Sequence, residues 1–238
     1  MGSVFTSIGK CCKKQRKQSA QYRKGHRVNT KNKKNKYADS DQNQIAAIKF
    51  YNSFLQGEGT KKNDCQDSFT IIDNQPEIFY FLAVFDGHGS SGKEASNAAC
   101  DNFQQYFEKN IDKVQLLTND KERDVFLRKA FHASEKKLKH SGIDYSNSGT
   151  CCIGIFIQKN YMSIANLGDS RACMCRVSPK DTLAVELSWD HKPIRRDERE
   201  RILKHSGKIE RLNINGELVG PYRVWADEEG PGISMTRT

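Results

Sequence analysis

The run Ile78-Phe79-Tyr80-Phe81-Leu82-Ala83-Val84-Phe85 leads directly into Asp86-Gly87-His88-Gly89. A nearly continuous apolar stretch of this length reads as a strand covered on both faces. Glycines after it end the strand and leave Asp86 at the rim of a sheet, beside exposed backbone. A carboxylate and backbone oxygens at a rim suit a hard cation, which takes oxygen ligands. Asp67 stands at the start of the preceding apolar segment, and two such strands side by side bring Asp67 and Asp86 together. His88 lies within reach of the same rim. Taken alone, the same residues also describe an ordinary strand-end turn and a structural histidine.

Working outward, Ile45 to Leu55 is apolar-rich and leads into a first strand. Ser68 to Ile72 reads as a short strand ended by Asp73-Asn74. After Gly89, Ala95, Ala98, Ala99, Phe103 and Phe107 recur at helical spacing to about Lys109. A second helix is expected from about Lys121 to Lys139, with Val125, Phe126, Ala130, Ala133 and Leu138 on one side. Cys151 to Ile157, Tyr161 to Leu167 and Arg171 to Val177 read as three strands joined by short turns, and Ala184 to Leu187 as a fourth. Arg196 to His205 reads as a polar helix ended by Gly207. Strands, two helices, then adjacent strands do not alternate as a doubly wound parallel sheet does. The order fits an α+β domain of packed antiparallel sheets with helices outside.

The formal net charge of +10 is confined to one end. Residues 1–38 hold 12 Lys or Arg and no Asp or Glu, leaving 27 basic against 29 acidic residues elsewhere, a net of −2. Such a tail buries too little apolar surface to offset its ordering entropy and is expected to be disordered, with the domain occupying 39–238. Two tyrosines, Tyr22 and Tyr37, are too few for base stacking, so no nucleic-acid partner is expected. Met1-Gly2-Ser3-Val4-Phe5-Thr6 fits the pattern for myristoylation at Gly2. One acyl chain binds membranes only marginally. Palmitoylation of Cys11 and Cys12, or contact of the Lys/Arg run with an anionic membrane surface, would supply the second signal. With no apolar run long enough to span a bilayer and no secretory h-region, the expectation is a cytoplasmic protein held peripherally on a membrane. Eight cysteines without a CxxC pair fit a reducing compartment. Cys173 and Cys175 would face one side of a strand, but two ligands alone make no zinc site.

Phe81-Leu82-Ala83-Val84-Phe85-Asp86-Gly87-His88-Gly89 resembles the signature of the PP2C (PPM-type) metal-dependent protein serine/threonine phosphatases. Further matches follow in the family's order: Gln66-Asp67-Ser68-Phe69, Ser148-Gly149-Thr150, Asn166-Leu167-Gly168-Asp169-Ser170-Arg171-Ala172, Asp190-His191-Lys192-Pro193, and Pro231 to Arg237. The resemblance implies a β-sandwich of two antiparallel sheets flanked by helices. It implies two Mg²⁺ or Mn²⁺ ions between the sheets, a weaker third ion, and a metal-activated water that attacks the phosphorus of phosphoserine or phosphothreonine in a phosphoprotein. Residue by residue, Asp86 matches the carboxylate that bridges both metals and Gly87 the backbone carbonyl ligand. Asp67 matches an acidic residue acting through metal-bound water, and Asp169 the position linked to the third metal. His88 matches the proposed general acid. Lys62 falls near a phosphate-binding arginine; it carries the charge but not the bidentate fork, and it reads equally as a solvated loop charge. Asn166, Gly168 and Arg171 are expected to shape the turn between strands.

The resemblance departs in two places. Gln66 stands where many members carry Glu. The chain as given ends at Thr238, before the family's later aspartate ligands, so the metal cage and the sheet are expected to be incomplete at the C-terminus. The alternative to catalysis is a truncated relative that acts as a phosphoprotein-binding or membrane-associated regulatory module.

Overall fold

The computed structural model describes residues 2–7, 65–74, 79–225 and 231–238. Its strands are β1 (Gly2–Ser7), β2 (Ser68–Asn74), β3 (Phe79–His88), β4 (Gly149–Gln158), β5 (Tyr161–Leu167), β6 (Arg171–Val177), β7 (Thr182–Glu186), β8 (Lys208–Ile214) and β9 (Glu217–Trp225). Its helices are α1 (Gly92–Lys109), α2 (Ile111–Gln115), α3 (Asp120–Lys139) and α4 (Arg196–Lys204). One antiparallel sheet has the order β2-β3-β4-β5, a second β1-β6-β7, and β8-β9 form a hairpin. The Ile45–Leu55 segment, Lys62, Cys11 and Cys12 lie outside the described residues.

β3 carries two unlike faces. Phe79, Phe81, Ala83 and Phe85 are buried in turn against the helices, while the residues between them are half-buried. Phe81 and Phe107 stack with ring centroids 4.4 Å apart, and Phe79, Phe103, Phe126 and Phe156 complete the cluster around them. Each buried phenylalanine contributes roughly 1.5–3 kcal/mol from burial alone. This aromatic layer clamps α1 and α3 onto β3 and β4. Gly154 is required beneath it, because a Cβ there would meet the Phe81 ring at 2.9 Å.

The other face of the sheet meets β6. Ile153 and Ile155 pack with Ala172, flanked by Val84, Ile157, Ile164 and Leu187. Both faces of the central strands are therefore covered, as the apolar run requires, and the expected α+β sandwich of antiparallel sheets is observed.

The elements differ from expectation in particular places. β3 runs three residues further, through His88, because Asp86, Gly87 and His88 pair with Cys151, Thr150 and Gly149. Asp86 therefore sits within the ladder and not after it. α1 starts at Gly92, three residues before the first apolar position. Val125 is 42% exposed and not on the packed side of α3; Arg123, Phe126, Leu127, Ala130 and Ser134 are. Arg123 holds that place because its guanidinium reaches Asp120 at 2.6 Å and lies 4.3 Å from the Tyr161 ring centroid. At the end of α4 the left-handed residue is Ser206, with φ 62°, and Gly207 follows it. Six residues of the expected tail, Gly2–Ser7, run antiparallel along β6. Alternating Val4 and Thr6 with Phe5 gives that segment strand propensity that the later lysines lack.

The β8–β9 hairpin was not foreseen. Its turn is Asn215-Gly216, with φ of 54° and 90°. Two positive φ values in succession favour this dipeptide at a two-residue hairpin turn.

Candidate active site

Register decides which side chains share a face. Val84 pairs with Ile153 and Asp86 with Cys151, so Asp86 lies on the face that packs toward β6. His88, two residues on, lies on the same face opposite Gly149. Ser68 pairs with Phe85, so Asp67, one residue before β2, adjoins the place of Asp86 across the strands. The structure thus brings Asp67, Asp86 and His88 to one rim.

The rim is held by close backbone packing. A Cβ on Gly87 would meet Gly92 O at 2.2 Å and Gln66 O at 2.6 Å, so only glycine fits. Gln66 Nε2 donates to Gly89 O at 2.9 Å, and Ser96 Oγ donates to Gln66 O at 2.6 Å. The glutamine at this position therefore ties the start of β2 to the turn after His88 with neutral hydrogen bonds. Lys93 Nζ donates to the Asp67 carbonyl at 2.8 Å, and Ser91 N donates to Ser148 Oγ at 2.9 Å. The start of α1 is thereby stitched to both β2 and β4.

His88 is half-buried, and its Nε2 lies 3.3 Å from Thr238 Oγ1. Burial pulls its pKa below the ordinary histidine value, while Asp169 and the Asp86 backbone pull the other way. Asp169 stands in the turn between β5 and β6. It is ion-paired to Lys192 Nζ, and Cys151 Sγ donates to its Oδ1 at 3.6 Å. Burial pushes the Cys151 thiol up to about 12, so it stays protonated as a donor. Asp169 is thus engaged by a lysine and a thiol.

Of the three residues expected to shape the turn, Gly168 does so, while Asn166 and Arg171 reach from it to β7 and the segment before α4. Asn166 Nδ2 donates to Trp189 O, Gly168 has φ 107° and faces Cys151, and Arg171 pairs with Asp190 and Glu186. Among the described residues no three His, Cys, Asp or Glu side chains converge into a metal-binding group, Asp67, Asp86, His88 and Asp169 included.

Sequence reading missed a second polar centre. Glu198, on α4, is 1% exposed and receives Arg237 at 2.7 Å, Arg201 at 2.8 Å and the Thr236 hydroxyl at 2.5 Å. The spacing of Glu198 and Arg201 on one helix was legible as an i,i+3 pair. The arginine 39 positions away carried no local signal.

The family profile for Protein phosphatase 2C matches residues 55–224. "Probable protein phosphatase 2C 73" of Oryza sativa subsp. japonica is 31% identical, covering 66% of this chain and 44% of the relative. The human "Integrin-linked kinase-associated serine/threonine phosphatase 2C" is 31% identical, covering 73% of this chain and 47% of the relative. The crystal structure of a serine-threonine phosphatase 2C from Toxoplasma gondii superposes with a TM-score of 0.53 at 21% identity, over 70% of this chain and 57% of that one. The chain spans about half the length of the curated relatives it matches. On the profile match and the shared sandwich, this chain belongs to the protein phosphatase 2C family.

Proposed function

We propose that the chain carries the N-terminal part of a metal-dependent phosphatase site acting on phosphoserine and phosphothreonine in proteins. The observation that carries this reading is the placement of Asp86 and His88 on one face of β3, with Asp67 adjoining across the ladder. The donor set is carboxylate and backbone oxygen, which suits Mg²⁺ or Mn²⁺ and not a soft metal. Asp86 and the Gly87 carbonyl would hold the ions directly, and Asp67 would do so through water. Bound divalent ions supply Lewis-acid polarisation and a water acidified toward pKa ~7.

The chain's own residues do the remaining work. His88 would give a proton to a departing Ser or Thr oxygen, a reading supported by the 3.3 Å approach of its Nε2 to the Thr238 hydroxyl. Burial lowers the fraction of His88 that carries this proton at neutral pH, and the Asp169 charge opposes that loss. Lys192 holds Asp169 in place, which would set the approach to a third ion. Lys62 would contact phosphate as a point charge. The acyl and polybasic features at Gly2, Cys11, Cys12 and the following lysines would bring the enzyme to an anionic membrane surface. No described helix is long and apolar enough to cross a membrane.

Hydrolysis of a phosphoserine peptide with and without Mn²⁺, by this chain and by a form extended to the length of its relatives, tests the reading. Turnover should require the metal, and Asp86→Asn should lower it on the order of 10²-fold or more while weakening Mn²⁺ binding by calorimetry. Full turnover by Asp86→Asn would overturn the site assignment.

A further inference from the structure

In both sheets the strands run away from the candidate rim. Tyr80 pairs with Ile157 and His88 with Gly149, so the β4–β5 turn lies at the end far from His88. β6 starts at Arg171, just after Asp169, and runs to Val177, where the hairpin to β7 turns back. The strand from Tyr80 to His88 alone spans about 26 Å at ~3.3 Å per residue.

That far end is where β1 begins. Gly2 pairs with Arg176, and Arg176 pairs with Leu183, so the three stand in one row across the β1-β6-β7 sheet. The next pair, Val177 with Thr182, closes the hairpin. Val177 is 51% and Leu183 49% exposed, and on the β4–β5 side Tyr161 and Met162 are 52% and 38% exposed. Val177 and Leu183 belong to successive pairs and therefore lie on opposite faces of the hairpin. No single surface within the domain could cover both.

Charge does not distinguish this end. Lys159, Arg176 and Lys180 stand there with Asp73 and Asp181, and with Glu77 of the undescribed segment before β3. Attraction to anionic lipid falls instead to residues 10–36, which hold all 12 Lys and Arg of the basic run. That run follows Ser7 at the other end of β1, and it is several times longer than β1, so it can reach the same bilayer. What the folded end supplies is apolar contact beside the acyl acceptor.

We propose that the tip of the β6–β7 hairpin is the domain's membrane-contact surface, with Val177 and Leu183 entering the headgroup boundary of an anionic bilayer beside an acyl chain on Gly2. The proposal rests on the acylation reading above, which supplies the lipid at Gly2. One acyl chain binds only marginally, and two half-exposed aliphatic side chains taken out of water strengthen that hold. Tyr161, on the neighbouring turn, is a side chain of the kind that sits at headgroup level. The consequence for function is orientation. The rim of Asp67, Asp86 and His88 points away from the bilayer, toward phosphoproteins in the aqueous phase and not toward lipid headgroups.

The test is co-sedimentation of the intact chain, co-expressed with an N-myristoyltransferase, with vesicles of about four parts phosphatidylcholine to one of phosphatidylserine. Val177→Glu with Leu183→Glu should weaken binding about tenfold or more. Ile214→Glu with Leu218→Glu makes the same charge change at exposed positions of the β8–β9 hairpin and should weaken it less than about twofold. Hydrogen exchange on the unsubstituted chain should slow on vesicle addition at residues 176–183 and not at 86–92. Equal losses from the two pairs, no loss from the Val177 and Leu183 pair, or slowing at 86–92 in place of 176–183 overturns the proposal. Intact mass reads the acylation separately. If Gly2 gains no acyl group while the Val177 and Leu183 pair still lowers binding, only the acylation reading falls.

Discussion

Glu198 and Arg237 are joined by paired hydrogen bonds of 2.7 and 3.0 Å, and the glutamate is 1% exposed. The contact fastens the segment after β9 to α4. That segment carries Thr238 to His88, so a buried ion pair on α4 helps set the position of a hydroxyl at the candidate site.

Glu198→Gln should therefore cost about 3 kcal/mol of stability, because it leaves arginines gathered around a neutral group. Urea unfolding at pH 7 would measure this. Burial alone would raise the Glu198 pKa, but hydrogen bonds from Arg237, Arg201 and Thr236 outweigh it and hold the carboxyl well below its usual range. A depressed folded pKa means the contribution is fully present above the unfolded value of about 4.3 and is lost as pH falls below it. The stability gap between the parent and Glu198→Gln should accordingly be constant from pH 7 to about 5 and shrink at lower pH. A gap that widens on acidification would contradict this account of the pair.

Phe107→Ala should destabilise the chain by about 3–5 kcal/mol, since the ring is fully buried and touches Phe79, Phe81, Phe126 and Phe156. Phe107→Leu should cost less than half as much. Chemical denaturation curves with unchanged slope would confirm loss of packing and not loss of compactness.

His88→Gln separates proton donation from binding. Loss should be on the order of 10²-fold for a phosphoserine peptide, whose alkoxide leaving group needs a proton. It should be much smaller for p-nitrophenyl phosphate, whose phenolate leaves without one. Equal losses on both substrates would remove His88 from the acid role.

On the proposed acylation of Gly2, Gly2→Ala removes the lipid without adding charge. Sedimentation of a cell extract should show the parent chain with membranes and the variant in the supernatant. Membrane retention of the variant would leave the basic run, and not the acyl group, as the attachment.

The family and the sandwich were legible in the sequence because they rest on local order. Apolar runs, glycine punctuation and motif sequence marked β3, β4, β5 and β6 and singled out Asp86 and His88, though not their place within the β3 ladder. The same local signals would also have yielded the β8–β9 hairpin, since Asn215-Gly216 marks its turn. What the sequence could not show is which groups meet across long separations. That Asp86 shares a face with Cys151, that Lys192 takes up Asp169, and that Arg237 and Arg201 converge on Glu198 are set by strand register and by α4 packing beside the final segment. A strand's period of two assigns faces only once its register with a neighbour is known. A buried charge likewise finds its partners in three dimensions, because it must be paired wherever the chain places it.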